Sequence, residues 1–245
     1  MFVFSSRVLL VSASCVAMNG STSSLLVVVY VLRVLFVSAN CVAMNGSIFS
    51  LLVVMFVLRV LFVSARNTRT LRAAGKLQEL THEMDRYRWN ILGLCEMRWK
   101  NFGETTTEEG HKVFFSGKED KHEHGVGFLV HKDIVNTVMG CRPVSSRLIT
   151  IRLRAVPFNI TIVQAYAPTS DYDDNKIEEF YDQLQNVIDQ TPKKDILVVQ
   201  GDWNAKVGRD ACGNWQGICG PFGSDDKNER GLRLLEFATF SQPLH

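Results

Sequence analysis

Residues 196–205 read ILVVQGDWNA: four apolar residues, a Gln-Gly step, then polar side chains around one tryptophan. A short, fully apolar run bounded by a turn reads as a buried strand, which predicts one over Ile196–Val199. Asp202 and Asn204 follow just past its end, two residues apart, so an extended backbone would point both the same way. Two upstream segments repeat the arrangement. NITIVQAYAPT (159–169) predicts a strand over Phe158–Tyr166 closing on Tyr166, with Pro168 behind it, and ILGLCE (91–96) predicts a strand over Trp89–Cys95 closing on Glu96. The informative polar residues therefore all lie at strand ends.

Other elements fill in around these three. Leu71, Leu77, Leu80 and Met84 follow near-helical spacing and predict an amphipathic helix over Leu71–Tyr87. Val113–Ser116, Val126–His131 and Leu148–Arg154 read as strands. Asp174–Gln190, stopped by Pro192, and Glu229–Phe240, with Asn228 as a cap, read as helices. Strands joined by turns, mixed with long crossover helices, predict an α/β domain with mixed sheets.

Four charged residues, all arginines (Arg7, Arg33, Arg59 and Arg66), lie in residues 1–66, which leaves 23 basic and 25 acidic side chains downstream. The mild excess of +2 over the whole chain thus belongs to the N-terminal part, and no basic nucleic-acid patch is implied for the rest. Six cysteines with no CxxC pair read as free thiols, not as a zinc cage.

Residues 1–66 are a tandem repeat. RVLLVSASCVAMNGSTSSLLVVVYVL (7–32) and RVLFVSANCVAMNGSIFSLLVVMFVL (33–58) differ at six of 26 positions, and RVLFVSA (59–65) begins a third copy. The composition changes sharply at 66, which divides the chain into a hydrophobic extension, 1–66, and a domain, 67–245. Leu25–Val37 and Leu51–Val63 are apolar but for Arg33 and Arg59. Each falls short of the roughly 20 residues that span a membrane. Membrane contact through residues 25–63 therefore stands beside two other readings, β-branched strands with an Asn45-Gly46 turn and a signal segment.

Hard oxygen donors at strand ends suit Mg²⁺, which binds through one or two carboxylates plus substrate phosphate. Asp202 and Asn204 suit proton abstraction from water and its orientation, and Tyr166 suits donation to a phosphate oxygen. His122-Glu123-His124, in a Lys/Glu/Asp-rich loop, reads as a solvated turn. Arg98, Trp99 and Lys100 read either as DNA contacts or as a loop packed by its tryptophan. Cys212 and Cys219 flank GNWQGI and read as free thiols rather than a bridged pair.

With AYAPT and GDWNA at this spacing, the chain from about Asn67 to Phe240 resembles the endonuclease/exonuclease/phosphatase family. Within that family it resembles the apurinic-type endonuclease domain of BovB/RTE-like non-LTR retrotransposons. The resemblance implies a four-layer α/β sandwich of two mixed sheets flanked by helices. Where the family has Thr-Trp-Asn-Val-Arg-Thr-Leu, this chain has Ala65-Arg66-Asn67-Thr68-Arg69-Thr70-Leu71. Asn67 and Glu96 thereby take the metal-binding positions, and Tyr166, Asp202 and Asn204 the catalytic ones. The implied reaction is Mg²⁺-dependent (or Mn²⁺-dependent) hydrolysis of DNA that leaves a 3′-hydroxyl, in a nuclear or intracellular setting, or at a membrane if the repeats insert. The family continues past the last helix with further Asp- and His-bearing strands, whereas this chain closes on SQPLH. His245 matches no family motif. The resemblance therefore predicts a domain incomplete at its C-terminus, with one sheet edge bare and cleavage weak or absent. The alternatives are a DNA- or metal-binding remnant without turnover and a membrane-attached protein. No protein partner is legible.

Overall fold

The computed structural model describes residues 2–4, 8–12, 27–28, 63–67, 71–208, 215 and 227–240, the first four segments through their backbone pairing. The strands are β1 (Phe2–Phe4), β2 (Val8–Ser12), β3 (Val27–Val28), β4 (Val63–Asn67), β5 (Ile91–Cys95), β6 (Phe102–Thr106), β7 (Lys112–Ser116), β8 (Val126–Val130), β9 (Val138–Ser145), β10 (Leu148–Leu153), β11 (Ile160–Tyr166) and β12 (Ile196–Asp202). The helices are α1 (Lys76–Met84), α2 (Asp174–Gln190) and α3 (Glu229–Phe240), with a 3₁₀ turn over Lys132–Thr137.

Two mixed sheets form, in the orders β1-β2-β12-β11-β10-β9 and β3-β4-β5-β8-β7-β6. Residue parity then builds the layers, because successive side chains of a strand face opposite ways. On β11, Ile160 and Ile162 face the other sheet, while Val163 and Ala165 face α2 and α3. On β5, Ile91 and Cys95 face inward, and Leu92 and Leu94 face α1. Ile177, Phe180, Tyr181, Leu184 and Val187 of α2 cover one sheet together with Leu234, Leu235, Phe237 and Ala238 of α3. Leu80 and Met84 of α1 cover the other. The result is a four-layer α/β sandwich, helix–sheet–sheet–helix, as expected.

Some boundaries move. The helix expected over Leu71–Tyr87 is confined to Lys76–Met84, with Leu71–Gly75 in turns and Gly75 at φ 81°. Leu71 is still buried against Trp99, so its apolar character reports burial and not helicity. β6 and β9 lack an expected counterpart. Every β6 residue is exposed, and β9 carries Gly140 and Pro143 beside a register irregularity against β10. Both lie at sheet edges, where no buried face imposes an apolar pattern.

The edge of β12 opposite β11 is not bare. β2 pairs along it in parallel, Val8 opposite Leu197 through Ser12 opposite Gly201, and β1 pairs with β2. β4 likewise pairs in parallel with β5, Val63 opposite Ile91 through Asn67 opposite Cys95. Copies of the RVL(L/F)VSA heptapeptide thus lend residues to a strand in each sheet, and strand pairing crosses the compositional boundary at 66. Apart from Val27–Val28 and Val63, the segment 25–63 considered for membrane contact lies outside the described residues, as do Cys212, Cys219 and His245. Among the described residues no helix is long and apolar enough to cross a membrane.

Candidate active site

The site grows out of the parity of three strands. Between the sheets the inward positions run from apolar to polar along each strand: Ile160, Ile162, Gln164, Tyr166 on β11, and Val198, Gln200, Asp202 on β12. β11 and β12 are parallel, with Gln164 opposite Gln200 and Tyr166 opposite Asp202, so matching rungs lie side by side. Gly93 and Cys95 of β5 meet them from the other sheet. A Cβ on Gly93 would fall 1.9 Å from Gln164 Oε1 and 2.4 Å from Gln200 Nε2, so only glycine leaves room for this pair.

The two glutamines link the sheets. Gln200 Nε2 donates to Gln164 Oε1 (3.0 Å), Gln164 Nε2 donates to Cys95 Sγ (3.0 Å), and the Cys95 thiol donates to the Ala165 carbonyl (3.4 Å). Burial, with the Asp202 charge adding to it, pushes the Cys95 thiol up to about 12. It therefore stays protonated at neutral pH and acts as a hydrogen-bond donor. In each apolar run the glutamine is the lone amide, two residues before Tyr166 in β11 and before Asp202 in β12.

One rung further out, the Tyr166 hydroxyl donates to Glu96 Oε1 at 3.1 Å, with both residues buried. Burial and the adjoining Glu96 and Asp202 charges push the phenol above its ordinary range, so it remains a donor. Arg98 Nη2 stands 3.9 Å from Glu96 Oε2. Trp203 is buried among Phe180 and the α2–α3 side chains and pins the chain between Asp202 and Asn204. Asn204 is not extended, as the spacing had suggested: its φ is 48°. Its N–H donates to Asp202 Oδ1 (3.1 Å) and its Nδ2 donates to the Ala167 carbonyl (2.7 Å), so a side-chain turn, not strand alternation, sets its direction. Glu96 also has a positive φ, 56°. Such backbone strain concentrates at functional sites.

Glu96, Tyr166, Asp202 and Asn204 therefore gather at one mouth. Asn67 ends β4 opposite Cys95, one residue from Glu96 along the paired strands; its side chain is outside the described part. The Glu96 carboxylate, a hard oxygen donor at the end of β5 beside the Tyr166 phenol, suits a divalent cation of the Mg²⁺ type that completes its shell with water. Among the described residues no group of three or more His, Cys, Asp or Glu is placed to hold a metal by itself.

Arg147 and Tyr172, which no sequence pattern marks, stand beside Tyr166 together with His124, expected as part of a solvated turn. His124 is half-buried and not a solvated turn residue: its ring stands 6.1 Å from that of Tyr166 and 6.2 Å from that of Tyr172. Burial and the Arg147 charge lower its pKa to about 4, so the imidazole is neutral and its Nε2 accepts. Arg147 Nη2 donates to that nitrogen at 2.9 Å, and Tyr172 Oη lies 3.0 Å from it. His122 is exposed and bonds the Arg98 carbonyl. Trp99 proves to be a packing residue, donating to the Leu71 carbonyl (3.0 Å) and meeting Phe115 edge-on, while Arg98 and Lys100 are exposed.

Among solved structures the chain is similar to the endonuclease domain of TRAS1, a telomere-specific non-LTR retrotransposon (TM-score 0.48, 20% identity, 73% of this chain and 69% of that one). It is also similar to the AP endonuclease LMAP from Leishmania major (TM-score 0.48, 13% identity, 71% and 64%). Among curated proteins it is similar to craniofacial development protein 2 of Bos taurus, 39% identical over 163 residues and 66% of this chain. The chain spans about a quarter, 27%, of that relative's length. No family model matches the chain.

Proposed function

We propose that this chain is a metal-dependent phosphodiesterase of the endonuclease/exonuclease/phosphatase type that acts on DNA and descends from a retroelement. The observation that carries the reading is the Tyr166 hydroxyl on Glu96, with Asp202 directly opposite Tyr166 on the β11–β12 ladder. The likeness to the bovine protein over 163 residues and the AYAPT and GDWNA motifs support it.

In this reading Glu96, with Asn67, would hold Mg²⁺, and the ion would supply neutralisation of phosphoryl charge. Tyr166 passes its hydrogen bond from Glu96 to a non-bridging phosphoryl oxygen and orients the diester. Asp202 takes the proton of the attacking water, and Asn204, fixed through Ala167, sets the position of the Asp202 carboxylate through the bond from its N–H. The water oxygen bonds phosphorus, the P–O3′ bond breaks, and the 3′-oxygen takes a proton from solvent water, leaving a 3′-hydroxyl and a 5′-phosphate. With only two site carboxylates among the described residues, turnover is slow. Losing one charge-stabilising group commonly costs about 10²–10³ in rate.

The test is incubation of the full chain with supercoiled plasmid and Mg²⁺. Slow nicking that disappears in Asp202→Ala and Glu96→Gln supports the reading. Retained metal-dependent DNA binding without nicking points instead to a binding remnant.

A further inference from the structure

We propose that Arg147, caged by Tyr166, His124 and Tyr172, is the positioning residue that holds the Tyr166 hydroxyl on Glu96. The inference rests on the phosphodiesterase reading above and assigns a residue which that reading leaves unused. Arg147 lies in the turn between β9 and β10, His124 before β8 on the other sheet, and Tyr172 between β11 and α2, so the cage ties both sheets together at the mouth.

The guanidinium carbon sits 5.1 Å from the centre of the Tyr166 ring and 4.9 Å from that of Tyr172, stacking on both. Its Nη1 donates to the Tyr166 carbonyl at 3.1 Å and its Nη2 to His124 Nε2 at 2.9 Å. One planar group thus grips the main chain of Tyr166 and covers its ring. A phenol at the end of two rotatable bonds needs such a backstop to keep its hydroxyl on one target. Among the described residues no carboxylate lies within ion-pair distance of Arg147. Its orientation is set by stacking and by the fork of N–H donors, a combination that lysine cannot reproduce.

The cage is itself anchored. Arg230 of α3 donates to the Tyr172 carbonyl (3.0 Å) and to Asp174 (3.0 Å), which fixes the loop that supplies one wall. Among the described residues His124 Nδ1 is buried without a hydrogen-bond partner, so the ring is kept in place by its Nε2 contacts and by packing.

The experiment uses the full chain labelled with ring-¹³C tyrosine, with the Tyr166 resonance assigned by its loss in Tyr166→Phe. Arg147→Met and Arg147→Lys are both expected to displace that resonance. Both should also lower kcat for Mg²⁺-dependent nicking by about tenfold to a hundredfold, with KM for DNA changed by less than about twofold. An unmoved Tyr166 resonance in both variants overturns the proposal. So does a raised KM with kcat intact, which would make Arg147 a contact to DNA phosphate. If Arg147→Met fails to fold, Tyr172→Leu removes one wall of the cage and is read by the same resonance. If the unaltered chain nicks nothing with Mg²⁺ or Mn²⁺, the nuclease reading fails, and the resonance still decides the positioning role.

Discussion

Replacing Gly201 by alanine would drive a methyl group into the strand that carries Tyr166. Gly201 has φ 150°, and a Cβ there would lie 1.8 Å from the Ala165 carbonyl oxygen and 2.7 Å from its carbon. Both are backbone atoms, so no side chain can swing aside, and β11 and β12 must part at the rung directly before Tyr166 and Asp202. Disrupting about two ladder hydrogen bonds costs about 2 kcal/mol net. The unfavourable backbone conformation of alanine adds about 1–2 kcal/mol. The sum, about 3–4 kcal/mol, is a large part of the roughly 5–15 kcal/mol that holds a domain of this kind. With a urea m-value of about 2 kcal/mol/M, the unfolding midpoint should fall by about 1.5–2 M. Gly140→Ala is the control: that glycine is exposed on β9, and its Cβ would meet nothing within 4 Å. Urea unfolding followed by tryptophan fluorescence compares the two. Equal midpoints for Gly201→Ala, Gly140→Ala and the unaltered chain would refute the steric reasoning.

Asp195→Ala should cost about 2–3 kcal/mol, because the nearly buried Asp195 carboxylate accepts from Arg152 Nε (2.7 Å), Arg152 Nη2 (2.9 Å) and the buried Thr161 hydroxyl (2.8 Å). Chemical denaturation measures this, and a loss under about 0.5 kcal/mol, the usual surface range, counts against the network. His124 gives a pH dependence. Its folded pKa is lowered from 6.5 to about 4, by burial first and then by Arg147 and Lys118 against the opposing pull of Glu123 and Glu96. The unfolded chain therefore binds the extra proton first. The stability tied to neutral His124 is fully present above about pH 6.5 and is lost as pH falls towards 4, by about 1–2 kcal/mol after allowance for solvent screening. In His124→Gln this share of the acid sensitivity should vanish; an unchanged stability profile between pH 7 and 4 would contradict it. Deleting residues 1–12 removes the strand paired with Leu197–Gly201. Amide exchange on β12 should quicken, and unaltered protection there would show that β2 does not guard that edge.

The sequence by itself determined the apolar strands and the residues that interrupt them. β5, β11 and β12 were legible because a strand buried on both faces must be apolar along its length, so Glu96, Tyr166 and Asp202 stood out where that run stopped. α2 and α3 were legible from their 3.6-residue apolar stripes, and their bounds hold as expected. Tertiary structure alone decided the rest. β6 and β9 are edge strands whose exposed positions impose no alternation, so only pairing defines them. The turn at Asn204 depends on the Ala167 carbonyl, supplied by the neighbouring strand's end. Arg147, His124 and Tyr172 come from three separate loops with no common spacing, and they became a cage only when two sheets closed face to face. The hydrophobic repeats read equally as membrane-contacting, strand-forming or signal sequence, and even a strand carries no address: which edge it fills depends on which rows of backbone donors and acceptors the rest of the fold leaves unpaired.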